Sequence, residues 1–356
     1  MSDFLLERYS TLAPYVPGEQ PQDKQYIKLN TNENPFPPSP MVLDALGREK
    51  IAQMNLYPDP AALALREAIG MEYGLKAENV FVGNGSDEVL GFAFLAYADE
   101  EHPVTIPEVS YGFYQIYAQL FRVAPRQIPL NEDFSLPAEK FCNVGSMVVL
   151  ANPNAPTALA LPLCDIERIV ASNSEYIVLV DEAYIDFGGE SALPLLSRHK
   201  NLLIVRTYSK SRSLAGGRLG YALAGEEVIQ DLERIKGSFH PYSVNNLTMA
   251  AGIEAMKDKE YFTRCVGEIC AQRAATAEAF RAMGFVLTES QTNFLFVSPP
   301  MLKGREYCEK LKERGILVRY LAGRGLENYV RIAVGTAQEM ERLIEASREI
   351  LQEATA

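Results

Sequence analysis

The sequence predicts an α/β protein with a largely parallel, doubly wound sheet, followed by a smaller α+β domain. Six short, continuous apolar runs between residues 79 and 224 alternate with helical patterns, which is typical of parallel strands buried on both faces. After Pro241 the pattern changes, because a long helical stretch precedes shorter strands. A length of 356 residues is sufficient for two such domains.

In chain order, residues 1–40 are rich in proline and turn formers, which predicts an extended arm that joins the small domain. Residues 41–243 predict the large domain, whose apolar runs are 79–82, 103–106, 146–150, 176–180, 202–205 and 220–224. Residues 244–356 predict the small domain. Its elements are one helical pattern through Met256 and past Met283, strands at 294–297, 316–319 and 329–334, and a final helix over 337–352.

Composition argues against several classes of function. A net charge of -12 argues against a nucleic-acid partner, which needs clustered positive charge. The 5 cysteines are irregularly spaced and the 3 histidines are scattered, so we expect free thiols and no metal site. The first residues lack the pattern of a signal peptide, and no apolar run is long enough to cross a membrane. We therefore expect a cytoplasmic protein.

The stretch from Arg206 to Gly220 carries the strongest chemical signal. Lys210 follows the apolar run 202–205, Ser209 stands directly before it, and Arg218 comes eight residues later, beyond a glycine pair. A lysine amine at a strand end, with hydroxyl and guanidinium groups nearby, is what a Schiff base with a phosphate-bearing aldehyde requires.

Other suggestive residues follow the neighbouring runs, where ligands of a parallel sheet gather. A glycine turn, residues 83–88, opens a helical pattern and could hold a phosphate. Tyr111 follows the run that ends at Ile106 and could stack on a planar ring. Asp181 and Tyr184 follow the run 176–180. An acidic pair at that place also fits a nucleotide hydrolase, but the required GxxxxGK[ST] loop is missing upstream.

Taken in order, these motifs resemble the pyridoxal-phosphate (PLP) enzymes of the aspartate aminotransferase fold, also called fold type I. The resemblance implies a large domain with a mostly parallel seven-stranded sheet. Three further stretches, residues 28–37, 56–60 and 330–335, resemble histidinol-phosphate aminotransferases. That resemblance implies the conversion of L-histidinol phosphate and 2-oxoglutarate to imidazole-acetol phosphate and L-glutamate.

The resemblance also implies roles for individual residues. Lys210 would form the Schiff base, Asp181 would pair with the pyridine nitrogen, and Tyr184 would bond the 3-hydroxyl of the ring. Tyr111 would stack on the ring. The residues implied at the cofactor phosphate are Gly85, Ser86, Asp87, Ser209, Arg218 and, from the neighbouring subunit of a homodimer, Tyr57. The residues implied at the substrate are Arg331, Arg319, Tyr15 and Asn32.

One position departs from the family pattern. The family usually has asparagine before Pro-Thr-Gly, whereas this chain has Ala155, and the closing glycine is Ala158. Asn154 is a candidate to supply the missing amide. Two related activities stay open, an aromatic amino-acid aminotransferase and a PLP-dependent decarboxylase of a phosphorylated amino acid. A PLP-sensing transcription regulator would need an added DNA-binding domain and a basic face, which this acidic chain lacks.

Overall fold

A computed structural model describes residues 2, 4–323 and 325–355 of the chain. Its strands, in chain order, are β1 (Ile27–Lys28), β2 (Val80–Gly83), β3 (Val104–Pro107), β4 (Pro125–Ile128), β5 (Met147–Ala151), β6 (Val178–Asp181), β7 (Leu202–Thr207), β8 (Gly220–Ala224), β9 (Val286–Leu287), β10 (Phe294–Ser298), β11 (Ile316–Leu317), β12 (Arg319–Tyr320) and β13 (Val330–Ala333).

Short 3-10 turns aside, the helices are α1 (Pro40–Ala45), α2 (Arg48–Ile51), α3 (Leu63–Tyr73), α4 (Ser86–Tyr97), α5 (Phe113–Phe121), α6 (Leu163–Ser172), α7 (Glu226–Phe239), α8 (Asn246–Lys257), α9 (Lys259–Ala282), α10 (Gly304–Glu313) and α11 (Ala337–Thr355). None of these helices combines the length and the apolarity that crossing a membrane would require.

The large sheet has seven strands in the order β2-β8-β7-β6-β5-β3-β4, which confirms the predicted α/β class. Six of these strands run in one direction, and β8 runs in the opposite one. The sequence pattern missed β4. This edge strand begins with a proline and exposes its first three residues, so it lacks the apolar run that marks a central strand.

Helices cover both faces of this sheet because alternate strand residues point to opposite sides. On one side, Val148 and Leu150 of β5 pack with buried residues of α3, α6 and α8. On the other, Met147 and Val149 of the same strand pack with α4, α5 and α7. The sheet is therefore the middle of three layers.

The second sheet is antiparallel, with strand order β12-β13-β10-β9, and α9, α10 and α11 pack with it in a separate core. The predicted strand 316–319 is divided in two here. Its first half, β11, pairs with β1 of the arm, and its second half, β12, pairs with β13.

The predicted long helix past Met256 is two helices. Asp258 ends α8 and caps α9, because its carboxylate accepts the backbone N–H of Tyr261. Buried residues of α8, such as Ala251 and Met256, belong to the core of the large domain. We therefore propose a domain boundary at Asp258 rather than after residue 243.

The arm connects the two domains. Leu29 exchanges backbone hydrogen bonds with Leu317 and Ala333 of the small domain. Five residues later, the side-chain amide of Asn34 donates to the backbone carbonyl of Lys210 in the large domain, at 2.9 Å. Residues 29–34 thus lie across the region where the two domains meet.

Candidate active site

A cavity of about 370 Å³ lies at the carboxyl ends of the parallel strands. It contains most of the residues predicted for the cofactor. Those that line it are Ser86, Asp87, Tyr111, Asp181, Tyr184, Ser209, Lys210 and Arg218. They come from the ends of β2, β3, β6 and β7 and from the loop before β8, so the sheet topology brings together residues far apart in sequence.

Asp181 is the last residue of β6 and is almost fully buried. Its carboxylate accepts a hydrogen bond from the Tyr114 hydroxyl, at 2.7 Å, and another from the backbone N–H of Ala183, at 3.1 Å. Burial raises the pKa of Asp181 to about 6, although both hydrogen bonds act in the opposite direction. No lysine, arginine or histidine of the described residues pairs with this carboxylate. The site therefore offers a buried anion to a ligand cation.

Lys210 stands on the loop that follows β7. Its amine Nζ is 3.4 Å from the carbonyl oxygen of Thr31 and 5.8 Å from the centre of the Tyr184 ring. Within the part of the chain described, this amine forms no ion pair. It is thus a primary amine at the cavity wall, held at its backbone by Asn34.

The end of the cavity at α4 is built to accept an anion. Gly85 precedes the helix with φ of 87° and offers no side-chain cap to the helix N–H groups. A side chain at Gly220 would overlap the backbone nitrogen of Ser86, so glycine lets β8 approach this turn closely. The guanidinium of Arg218 stands beside the turn and pairs with Asp87 at 3.0 Å. Hydroxyls of Ser86 and Ser209 complete the lining.

Tyr111 forms a wall of the cavity. Its hydroxyl donates to the Asp87 carboxylate at 2.8 Å, and its ring meets that of Tyr114 edge-on, at an interplanar angle of 86°. These two contacts fix the ring plane, so a flat ligand could stack on the free face.

A second cavity, of about 390 Å³, adjoins the first, because Tyr111 and Ala155 line both. It contains three of the residues predicted for the substrate, Arg331, Arg319 and Tyr15. Arg331 donates to the carbonyl of Asn30 at 3.2 Å, and its buried Nε has no partner among the described residues. Burial lowers the pKa of Arg331. Arg319 donates to the carbonyls of Val16 and Pro17 in the arm.

Four predicted site residues lie outside both linings: Gly85, which forms the turn before α4, and Asn154, Asn32 and Tyr57. The Asn154 side chain bonds Ser110, Val109 and Thr157, so its amide is not available to replace the one absent at Ala155. Asn32, predicted at the substrate, is buried, and its amide donates instead to the Tyr184 hydroxyl at 3.0 Å. Tyr57 is 82% exposed and stacks on Tyr242, away from the cavity of its own chain.

Sequence reasoning missed residues that hold the site from behind. Tyr114 supports Asp181, and Asn34 supports Lys210. Tyr114 had a usable signal, because it lies three residues after Tyr111 and so falls on the same side of a helix start. Asn34 had none, because its contact joins positions 176 residues apart.

Comparisons with known proteins show the family of this chain. The sequence-family model of the class I and II aminotransferases matches residues 24–346 of this chain. A histidinol-phosphate aminotransferase of Clostridium acetobutylicum is 45% identical over 99% of this chain and 100% of its own. One from Chromohalobacter salexigens is 46% identical over 97% and 98% of the two chains.

Solved structures share the fold. The histidinol-phosphate aminotransferase from Sinorhizobium meliloti, in complex with pyridoxal-5'-phosphate, matches with a TM-score of 0.85 and 25% identity. The match covers 98% of this chain and 99% of that one. The predicted fold and family resemblance are confirmed: this chain belongs to the class I and II aminotransferases.

Proposed function

We propose that this protein is a PLP-dependent aminotransferase that converts L-histidinol phosphate and 2-oxoglutarate to imidazole-acetol phosphate and L-glutamate. The observation that carries the proposal is one cavity in which a buried carboxylate, a lysine amine and an anion-binding turn meet. The substrate assignment is supported by relatives at 42 to 46% identity, which carry the name histidinol-phosphate aminotransferase.

The donor set of the first cavity fits PLP. Asp181 would hold the protonated ring nitrogen, which would also supply the cation that its buried carboxylate lacks. Ser86, Ser209, Arg218 and the first N–H groups of α4 would hold the phosphate. When bound, PLP supplies an aldehyde that takes up an amino group and a ring that delocalises the electron pair left on the substrate carbon.

Lys210 and Tyr184 would act on the reacting atoms. The Lys210 amine would hold the aldehyde carbon in the resting enzyme and accept the proton of the substrate carbon that carries the amino group. The Tyr184 hydroxyl would donate to the ring oxygen. Tyr111 would orient the ring plane, because its own position is fixed by Asp87 and Tyr114.

The second cavity would hold the substrates. Arg331 is a half-buried cation without a carboxylate partner in the described part of the chain, so an anionic substrate group would satisfy it. Glutamate would offer its α-carboxylate there, and histidinol phosphate its phosphate. Arg319 and Tyr15 line the same cavity and would assist.

We further propose that the functional unit is a homodimer. Large apolar side chains stay exposed in residues 41–63 and again at 239–242, which is typical of a surface that another chain covers. These side chains are Met41, Leu43, Ile51, Met54, Leu56, Tyr57, Leu63, Phe239 and Tyr242. Tyr57 would then reach the cofactor phosphate of the neighbouring subunit.

An aromatic amino-acid aminotransferase is the second candidate, because the substrate cavity has an aromatic wall. The rings of Tyr15 and Phe113 are 4.7 Å apart, and those of Phe113 and Tyr111 are 5.5 Å apart. Such a wall accepts a phenyl ring as well as an imidazole.

The two activities are separated by mixing the PLP-loaded protein with histidinol phosphate or with phenylalanine and following the cofactor's absorption band. Rapid bleaching by histidinol phosphate and slow bleaching by phenylalanine is the expected result. The reverse order would reassign the enzyme to aromatic substrates. A protein that takes up no PLP would overturn the proposed function.

A further inference from the structure

The arm residue Asn32 makes its side-chain contact with a residue of the cofactor cavity, although it lines neither of the two cavities described above. Its Nδ2 donates to the Tyr184 hydroxyl oxygen at 3.0 Å, and its side chain is buried. The two residues are 152 positions apart, so this contact forms only in the folded protein.

The direction of this hydrogen bond decides where the Tyr184 proton can go. Because Asn32 donates, the Tyr184 oxygen accepts, and its own O–H stays available. Two other hydroxyls of the cavity are already used, since Tyr111 donates to Asp87 and Thr31 donates to Glu33, both at 2.8 Å. Tyr184 donates to no acceptor among the described residues. Its proton is therefore free for a ligand.

No second amide shares this task beside Tyr184, which packs against the cluster that contains Ala155. Ala155 lines the cavity with a methyl group, which can donate nothing. The neighbouring amide of Asn154 already donates to Val109 and Thr157. A ligand oxygen near Ala155 thus depends on Tyr184 for its donor more than it would with a second amide present.

We propose that Asn32 is a positioning residue that acts through Tyr184, keeping the tyrosine proton directed at the ring oxygen of PLP. The inference rests on the proposed function, because the acceptor is the cofactor's 3-hydroxyl oxygen. It assigns Asn32 to the cofactor's protonation rather than to the substrate.

The backbone of Asn32 explains why this position suits asparagine and guides the choice of variant. Its φ is 55°, a left-handed conformation that asparagine and glycine adopt more readily than alanine does. Glycine would fit the backbone but supplies no amide. Asn32→Gly therefore removes the hydrogen bond without adding the strain that Asn32→Ala would add.

The test is a pH titration of the absorption band of the PLP-loaded protein. A hydrogen-bond donor stabilises the anionic form of the ring oxygen, so weakening that donor raises the pH at the midpoint of the titration. We expect Asn32→Gly to raise the midpoint by about half a pH unit and Tyr184→Phe to raise it by about one. In the double variant, Asn32→Gly should add nothing to Tyr184→Phe. Additive shifts, or no shift in Asn32→Gly, would overturn the positioning role.

Asn30→Ala is the matched control. Asn30 and Asn32 lie on the same segment, each is 1% exposed, and the amide of each donates a single hydrogen bond. The Asn30 amide donates to the Glu19 carbonyl, outside the site. Loss of the Asn30 amide should reduce the stability of the protein but leave the midpoint of the absorption titration unchanged. An equal shift in Asn30→Ala would show a general structural effect and reject the proposal.

A variant that does not fold, a failure of the proposed function and a failure of the Asn32 role can be told apart. If Asn32→Gly does not fold, Asn32→Asp keeps the size of the side chain and tolerates the left-handed backbone, but it lacks the amide donor, and its midpoint should also rise. If the wild-type protein takes up no PLP, the proposed function fails. If the wild-type protein titrates normally and neither Asn32 variant moves the midpoint, only the role of Asn32 fails.

Discussion

The Tyr114 hydroxyl donates a 2.7 Å hydrogen bond to the Asp181 carboxylate, and both side chains are buried. Tyr114 is neutral, so this contact satisfies the carboxylate without neutralising it. Burial consequently raises the pKa of Asp181 to about 6. The protein without cofactor carries a destabilising charge that a ligand cation would relieve.

Replacing Asp181 should therefore stabilise the PLP-free protein while impairing the enzyme. The folded-state pKa lies above the unfolded value of 3.8, so stability is lost as pH rises through about 6. This difference in pKa lowers the free energy of unfolding by about 3 kcal/mol at neutral pH. Asp181→Asn should recover about 1 to 3 kcal/mol of that loss. Urea unfolding at about pH 4 and about pH 8 should show a larger gain at the higher pH. Transamination should fall at least about 100-fold.

Glu341→Gln is the control for this prediction, because Glu341 is exposed on α11, outside the proposed dimer surface. Its unfolding free energy should change little at either pH. A loss of stability in Asp181→Asn at both pH values would contradict the assignment of Asp181 as an uncompensated buried charge.

Gly220→Ala should weaken cofactor binding, because the added methyl group would overlap the Ser86 nitrogen at the anion-binding turn. We expect the dissociation constant for PLP to rise at least about 10-fold, as a displaced turn costs about 1 to 3 kcal/mol. Gly225→Ala is the matched control, since a methyl group at that position meets no atom within 4 Å. Titration with PLP measures both variants, and equal affinities would place the phosphate elsewhere.

Arg331→Gln should raise KM for both 2-oxoglutarate and the amino donor by about 100-fold, with a smaller effect on kcat. Because the half-buried Arg331 side chain has no ion-pair partner in the described chain, its loss should not destabilise the substrate-free protein. Steady-state kinetics and thermal unfolding test the two parts. The control Arg348→Gln changes an exposed residue of α11 and should alter neither KM nor thermal stability. An unchanged KM in Arg331→Gln would remove Arg331 from the substrate site.

The shared site of the proposed dimer can be tested by complementation at limiting PLP. Lys210→Ala and Tyr57→Ala should each be nearly inactive, but refolding them together should restore about a quarter of wild-type activity. One site of each mixed dimer then combines an intact Lys210 with an intact Tyr57 from the other chain. If Tyr57 served its own subunit, no mixed dimer would contain an intact site and activity would stay absent.

The sequence predicted the central strands because they are continuous apolar runs, and six of the seven strands of the large sheet follow from such runs. It missed β4, whose stability comes from pairing with β3 rather than from burial of its own side chains. It also joined α8 to α9, because the break at Asp258 is short and helical sequence continues on both sides of it.

The residues that line the first cavity were predictable for a similar reason. Lys210 and Asp181 each follow a recognisable strand, and the carboxyl ends of parallel strands converge. Asn32 was predicted at the substrate and Tyr114 was missed, since an asparagine in an arm and a tyrosine in a helix are compatible with many roles. Only the fold shows that their polar groups meet Tyr184 and Asp181.

The pairing of β1 with β11 has a consequence for how the protein forms during synthesis. Residues 27 and 28 cannot take their place until residues 316 and 317 have been made, and Asn32 lies only a few positions further on. The large sheet can assemble much earlier, since its strands end at Ala224. Ribosome-bound chains that stop before residue 316 should thus contain a folded sheet whose lysine and tyrosine still lack the arm.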